Sequence, residues 1–217
     1  MSKKEKKEAS KEFLAKNKDF RAVGIYGVID EEKSEEALFS LLSLHETRFK
    51  QVARELTEEE REILEKDNEA EIFLDFVDIL QPIELVINTT GGSASDMFAL
   101  YDVMTMIKED CDINTMGVGN IMSAGVLLMA AGTKGNRRIG KNCRVMIHSV
   151  QAGMQGASHE VKNELEEIML TEERYFAALA HETKMTIETL AKMLEAKVNV
   201  YLSAEEAIEY GIADILL

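Results

Sequence analysis

The chain is poor in the residues that staple or anchor a fold from outside its own core. It has two cysteines, Cys111 and Cys143, far apart and in neither a CxxC nor a Cys/His spacing. That excludes a disulfide framework, offers no zinc site, and suits a reducing cytoplasm. One proline and no tryptophan are ordinary for a globular chain. No apolar run reaches the roughly 18 residues of a membrane-spanning helix, and the Lys/Glu-rich start lacks the apolar stretch of a secretory leader. A cytoplasmic protein without a membrane partner is expected. Cations are outnumbered, 25 Lys and Arg against 40 Asp and Glu, for a formal charge of −15. Phosphate binding relies on clustered Lys and Arg, so nucleic acid is excluded as a partner. The one basic cluster, Lys3, Lys4, Lys6 and Lys7, is broken by Glu5 and Glu8 and reads as a solvated tail. Neither GxGxxG nor GxxxxGK[ST] is present to hold a phosphate, GxSxG is absent, and no internal repeat appears. What the chain does have is 46% hydrophobic residues, enough for a sizeable core, and 12 methionines that pack adaptably.

The pattern along the chain alternates strand and helix. A charged, flexible segment is expected over 1–20, followed by one α/β domain over 21–217. Ala22 to Asp30 reads as a strand, and Ala37, Leu38, Leu41 and Leu42 recur at helical spacing. Residues 46–70 are dense in Glu, Lys and Arg, with a capping-box pattern from Thr57 to Glu60, and read as an exposed, acidic helical insertion. Glu84 to Thr89 is a buried strand that ends in Thr90-Gly91-Gly92-Ser93, after which Met97, Tyr101 and Met104 mark a helix. Ile113–Val118 and Cys143–His148 are further strands, with a buried helix from Ser123 to Ala131 between them. Connections this short imply crossover units and a mostly parallel sheet flanked by helices. Ser158 to Glu182 predicts a helix too long for the core to cover, which projects toward another subunit. Ser203 to Glu206 caps a last short helix that Gly211 ends, and Ile212–Leu217 is a final strand.

Three features carry chemistry. Gly91-Gly92, taken alone, is an ordinary tight turn or a place where backbone N–H groups approach a substrate closely. Ser123, taken alone, is a helix N-cap. His148, taken alone, is a satisfied histidine at a strand end. Together, in the run Asn120-Ile121-Met122-Ser123-Ala124-Gly125 and the later Val145-Met146-Ile147-His148, they are what acyl transfer needs. A hydroxyl sits beside a base, with backbone donors near the developing oxyanion.

These segments resemble the proteolytic subunit of the Clp protease, the ClpP family. The likeness runs through Ile87-Asn88-Thr89-Thr90-Gly91-Gly92-Ser93, Tyr101-Asp102, Gly119 to Gly125, Val145 to His148 and Gln155-Gly156. It continues through Tyr201-Leu202-Ser203-Ala204-Glu205-Glu206-Ala207 and Glu209 to Asp214, covering 83–217 closely and 22–45 more loosely. The resemblance implies a crotonase-like fold of repeated ββα units, with a projecting handle helix after Ser158. It implies two stacked heptameric rings of one subunit enclosing a chamber, fed with unfolded polypeptide by an AAA+ unfoldase, and needing no cofactor or metal. Carried over by position, Ser123 is the nucleophile and His148 the general base, with the N–H groups of Gly92 and Ala124 as the oxyanion hole.

The chain departs from the family where an Arg-Asp pair is expected and Val198-Asn199 stands instead. Asn199 can hold an imidazole tautomer but cannot stabilise imidazolium by charge. Glu195, four positions earlier, is an alternative acid if that stretch is helical. Four readings follow. The first is a serine endopeptidase of this family, and the second is a weakly active or inactive regulatory ring subunit. A third is a phage-type or maturation protease working without an ATPase. The fourth is an acyl-CoA enzyme on the same fold, against which the Ser123/His148 pairing counts because thioester enolisation is better served by a carboxylate base.

Overall fold

The computed structural model describes residues 21–66, 75–153, 155–196 and 199–217. The expected N-terminal segment 1–20 lies outside the described residues, as does Val198. The chain enters on β1 (Ala22–Ile29) and turns into α1 (Glu31–Glu46), whose N-cap Asp30 accepts the Lys33 N–H. After β2 (Phe49–Ala53), α2 (Glu58–Lys66) and β3 (Phe76–Leu80) come β4 (Ile83–Gly92) and α3 (Ala94–Ile107). Then follow β5 (Ile113–Met122), α4 (Ala124–Ala130), β6 (Arg138–Ile139) and β7 (Arg144–His148). Helices α5 (Ser158–Glu182) and α6 (Ile187–Ala196), strand β8 (Asn199–Leu202), α7 (Ala204–Glu209) and β9 (Ile215–Leu216) complete it.

Strands β1, β4, β5, β6 and β9 are neighbours in that order in a seven-stranded sheet, with β7 joined to β5 and β8 to β7. Every pairing is parallel except β7 with β8. This is the mostly parallel α/β sheet of the crotonase-like class. Alternation along β4 sends Ile83, Leu85, Ile87 and Thr89 into the core, and β5 does the same with Ile113 and Thr115. Against that face pack Met97, Leu100, Met104 and Ile107 of α3 and the whole of α4. The opposite face carries a polar row across three strands: Asn114 Nδ2 donates to Glu84 Oε1 at 2.8 Å, and Arg138 pairs with the other Glu84 oxygen.

The 46–70 stretch is the main correction to the sequence reading. Only part of it is helical. Phe49–Ala53 is a strand that pairs antiparallel with Phe76–Leu80, so a two-stranded hairpin flanks α2. The capping box at Thr57 is present, with Thr57 N–H on Glu60 and Glu60 N–H on Thr57 Oγ1. Arg54 also binds Glu60 at 2.5 Å, and these bonds, Arg54's first, push the Glu60 carboxyl down to about 2. Both strands of the hairpin are exposed along their whole length, so no buried alternation marks it in the sequence. Strands β4 and β5 each run to the turn that follows them, longer than hydrophobicity alone suggests, and the last strand is confined to Ile215–Leu216.

Helix α5 has the expected bounds, Ser158–Glu182, and only its C-terminal half is anchored, through Tyr175, Leu179 and Glu182. Leu165, Met169 and Leu170 on the remainder are exposed. Where α5 ends, Arg137 ties several elements together. Its guanidinium donates to the carbonyls of Ala130 and Glu182 at 3.1 and 2.9 Å and to both carboxylate oxygens of Asp214 at 2.7 and 2.6 Å. Burial pushes the Asp214 carboxyl up, but hydrogen bonds from Arg137 and the Gly135 N–H outweigh it and hold the group below its ordinary 3.8. Its stabilisation is therefore full above that value and is lost as pH falls through the lower folded value. Asp214→Asn leaves a buried guanidinium without its counter-charge and should cost about 3–5 kcal/mol in urea unfolding at pH 7. The penalty should shrink in acid, where the wild-type carboxyl is itself neutral.

Candidate active site

A cavity of about 350 Å³ opens at the C-terminal ends of β4, β5 and β7, and Gly92, Ser123, Ala124 and His148 all line it. Parallel strands place these residues together although they are remote in sequence, because the carboxyl ends of such strands form one edge of the sheet.

Ser123 joins β5 directly to α4. Its φ is 54° and its ψ −123°, and among the described residues it is the one non-glycine with positive φ. It makes no side-chain capping bond, so the N-cap explanation does not account for it. Instead the residue occupies a sharp strand-to-helix turn that an L-residue adopts at a cost of about 1–3 kcal/mol. The absence of neighbouring Cβ atoms makes room. A Cβ on Gly91 would lie 2.5 Å from Ser123 Cβ, and one on Gly125 would lie 2.2 Å from Thr89 Cγ2. Thr89, fully buried, accepts the Gly91 N–H at 3.0 Å and donates to the Gly27 carbonyl, fixing the glycine turn against β1. The turn at Ser123 is held on both sides: its N–H donates to Met146 O at 2.8 Å, and its carbonyl accepts from Val126 N–H and Tyr175 Oη.

Gly92 has its own steric requirement, since a Cβ there would fall 2.0 Å from Ile29 O of β1. Its glycine identity thus follows from strand packing, and its place on the cavity wall comes with that. Ala124 opens α4, so its N–H belongs to the first turn, where helix donors lack intrahelical acceptors.

His148 ends β7, half-buried, and burial pushes its imidazole below the ordinary 6.5. The ring is therefore neutral at pH 7, as a proton acceptor requires. Its Nδ1 is buried without a hydrogen-bond partner among the described residues. Asn199 stands directly opposite His148 in the antiparallel β7–β8 ladder, so the two side chains share a face about 5 Å apart at Cβ. Glu195 lies in the last turn of α6, exposed and off the cavity wall. The antiparallel pairing that sets Asn199 against His148 was not legible in the sequence, which gave only spacing.

Neither cysteine is poised to react: both are buried, and burial pushes the Cys143 thiol up to about 11. Among the described residues no group of His, Cys, Asp and Glu is gathered to hold a metal, and no helix is long and apolar enough to cross a membrane.

Residues 57–217 match the family described as Clp protease. The chain is 35% identical over 146 residues to the ATP-dependent Clp protease proteolytic subunit 1 of Prochlorococcus marinus subsp. pastoris (strain CCMP1986 / NIES-2087 / MED4), covering 67% of this chain and 72% of that protein. It is equally similar, 35% over 146 residues, to the protein of the same description from Prochlorococcus marinus (strain MIT 9312), covering 67% and 73%.

The steric account of the Ser123 turn is testable with two glycines of nearly equal φ. Gly91 has φ 95° and Gly135 φ 92°, but nothing lies within 4 Å of a Cβ on Gly135. Gly135→Ala should cost about 1–2 kcal/mol, the strain alone. Gly91→Ala should cost about 3 kcal/mol or more, strain plus overpacking against Ser123. Equal costs in denaturant unfolding would remove the steric account.

Proposed function

The chain belongs to the Clp protease family, and we propose that it is a serine endopeptidase whose nucleophile is Ser123 and whose general base is His148. The observation that carries this reading is the convergence of a positive-φ serine, a neutral half-buried imidazole and the residues Gly92 and Ala124 on one cavity. Ser123 Oγ attacks the scissile carbonyl as His148 takes its proton, and the tetrahedral oxyanion is met by the N–H groups of Gly92 and Ala124. His148 returns the proton to the departing amine, leaving an acyl-enzyme. Water, deprotonated by the same imidazole, then releases the acid product and regenerates the serine. Asn199 faces His148 across the β7–β8 ladder and is the residue proposed to orient the ring, a role that requires its exposed side chain to turn toward Nδ1, which has no partner among the described residues.

Unfolded polypeptide is the substrate class, delivered by an AAA+ unfoldase to a chamber of stacked heptameric rings in the cytoplasm. The exposed apolar residues of the free half of α5 support assembly, since Leu165, Met169 and Leu170 need a partner surface. A second reading, a ring subunit of weak or regulatory character, is favoured by one observation. The residue facing His148 is an amide, and Nδ1 has no partner among the described residues.

A fluorophosphonate probe should label the assembled protein, and Ser123→Ala and His148→Ala should each abolish labelling. An assembled ring that does not label would transfer the assignment to the regulatory reading. Because His148 acts in its neutral form and burial lowers its proton affinity, peptide hydrolysis should be full at pH 7 and fall only below 6.5 as the ring protonates. Asn199→Asp should raise turnover by some part of the about 10⁴-fold that the reverse exchange removes in a Ser-His-Asp protease. It should also move the acid limb to higher pH, because a carboxylate favours imidazolium. An unchanged rate and an unchanged limb would show that position 199 does not touch the imidazole.

A further inference from the structure

Helix α5 bonds, at two residues one turn apart, to segments that line the cavity. Tyr175, 4% exposed, donates its Oη–H to the carbonyl of Ser123 at 3.1 Å. Glu172, three residues earlier, accepts the N–H of Val150 on Oε1 at 3.1 Å. Residues three apart share a helix face, so a single turn of α5 grips both the turn that carries Ser123 and the loop that leaves His148.

Each grip has a definite mechanical consequence. The Ser123 carbonyl and the Ala124 N–H belong to one trans peptide unit, a rigid plane in which they point in opposite directions. Val126 N–H already occupies one lone pair of that carbonyl at 2.9 Å, and Tyr175 takes a second. Fixing the oxygen fixes the aim of the Ala124 N–H. Val150 lies two residues beyond His148 in a stretch without regular structure and forms part of the cavity wall with Ser149 and Gln151. Its bond to a carboxylate is charge-assisted, and so stronger than a neutral one. It fixes the backbone on the C-terminal side of His148, where no ladder bond does so.

We propose that Tyr175 and Glu172 are positioning residues for peptide hydrolysis, Tyr175 aiming the Ala124 oxyanion donor and Glu172 holding the loop that follows His148. This rests on the reading of Ser123 and His148 as the reacting pair. Burial pushes the Tyr175 phenol above its ordinary value of 10, so it remains a donor throughout the working pH range. Both residues act on groups that meet the transition state, so their loss falls on kcat rather than on substrate binding.

The test uses the full-length protein, with ring assembly followed by light scattering and folding by thermal midpoint. Tyr175→Phe keeps the ring and removes the donor; it should lower kcat for a short peptide about 3- to 10-fold, one hydrogen bond's worth, with KM changed less than about 2-fold. Glu172→Ala should lower kcat by a similar factor, while Glu172→Gln, which keeps an acceptor, should recover most of it. Because the two grips share one helix turn, the double variant Tyr175→Phe/Glu172→Ala should lose less than the product of the single losses. Wild-type kcat in Tyr175→Phe and Glu172→Ala, or losses confined to KM, would overturn the proposal. So would a Gln variant as impaired as the Ala variant. If Tyr175→Phe does not fold, the Glu172 pair decides alone. Failure of the underlying reading is separately visible, as wild-type protein that shows no Ser123-dependent labelling.

Discussion

The backbone at Ser123 is the constraint on which the site depends. A residue with a Cβ held at φ 54° is strained by about 1–3 kcal/mol, and nothing local to the sequence relieves it. The relief is tertiary. Gly91 and Gly125 leave the space, Thr89 holds the Gly91 turn, and Met146 accepts the Ser123 N–H. The larger contribution comes from α4, in which every residue from Ala124 to Ala130 is buried. Burying Val126, Leu127, Leu128 and Met129 contributes on the order of 1.5–3 kcal/mol each, so the helix outweighs the strain of the turn that begins it. The core therefore sets the geometry of the turn that carries the hydroxyl.

Charge is arranged quite differently around the site and away from it. No Asp, Glu, Lys or Arg is among the residues that line the cavity. The buried charges lie elsewhere: Arg137 pairs with Asp214, Glu182 with Lys108 and the Tyr101 hydroxyl, whose own proton affinity burial and Glu182 push up to about 12, and Arg21 donates to the carbonyls of Leu44, Thr47 and Pro82. Those pairs join strand and helix ends. A cavity lined by neutral groups keeps His148 neutral, which suits proton abstraction, and gives little help to the imidazolium that abstraction creates. Under the proposed reading residue 199 carries weight for that reason, since Asn199 faces His148 across the β7–β8 ladder and brings no charge.

Much of the fold was legible because local and tertiary preferences agree. The Ser158–Glu182 helix, the strand and glycine turn before Ser93, and the capping boxes at Thr57 and Ser203 rest on periodicity and short-range hydrogen bonds. The residues that were not legible depend on contacts across the fold. Ser123 looks like an ordinary N-cap until Gly91 is known to lie beneath it. The β2–β3 hairpin pairs segments on either side of α2, and neither strand carries a buried alternation that would announce it. Tyr175 and Glu172 sit in a helix whose sequence announces an apolar stripe through Phe176 and Leu179, but the stripe does not say which turn meets the active-site loops. Tyr175 is in fact better buried than Phe176, and its buried hydroxyl is satisfied by the Ser123 carbonyl.

The topology determines where chemistry can occur more firmly than which chemistry occurs. With β4, β5 and β7 parallel, the turns after all three open on one edge, and any substrate entering there meets Gly92, Ala124 and whatever follows them. Paired N–H groups in that position would polarise a thioester as well as a peptide, so the fold alone does not separate a peptidase from an acyl-CoA enzyme. The side chains separate them. Thioester enolisation asks for a carboxylate base over the α-carbon, and the cavity wall carries none. Peptide cleavage asks for a nucleophile that can form and later release an acyl group, and for one group able to accept and then return a proton. The proposed reading gives those two demands to Ser123, in its strained turn, and to His148, whose proton affinity burial lowers. Three turns at one sheet edge, separated by roughly a βα unit each, thereby bring Gly92, Ser123, Ala124 and His148 to one cavity without a contribution from the exposed hairpin or the free half of α5.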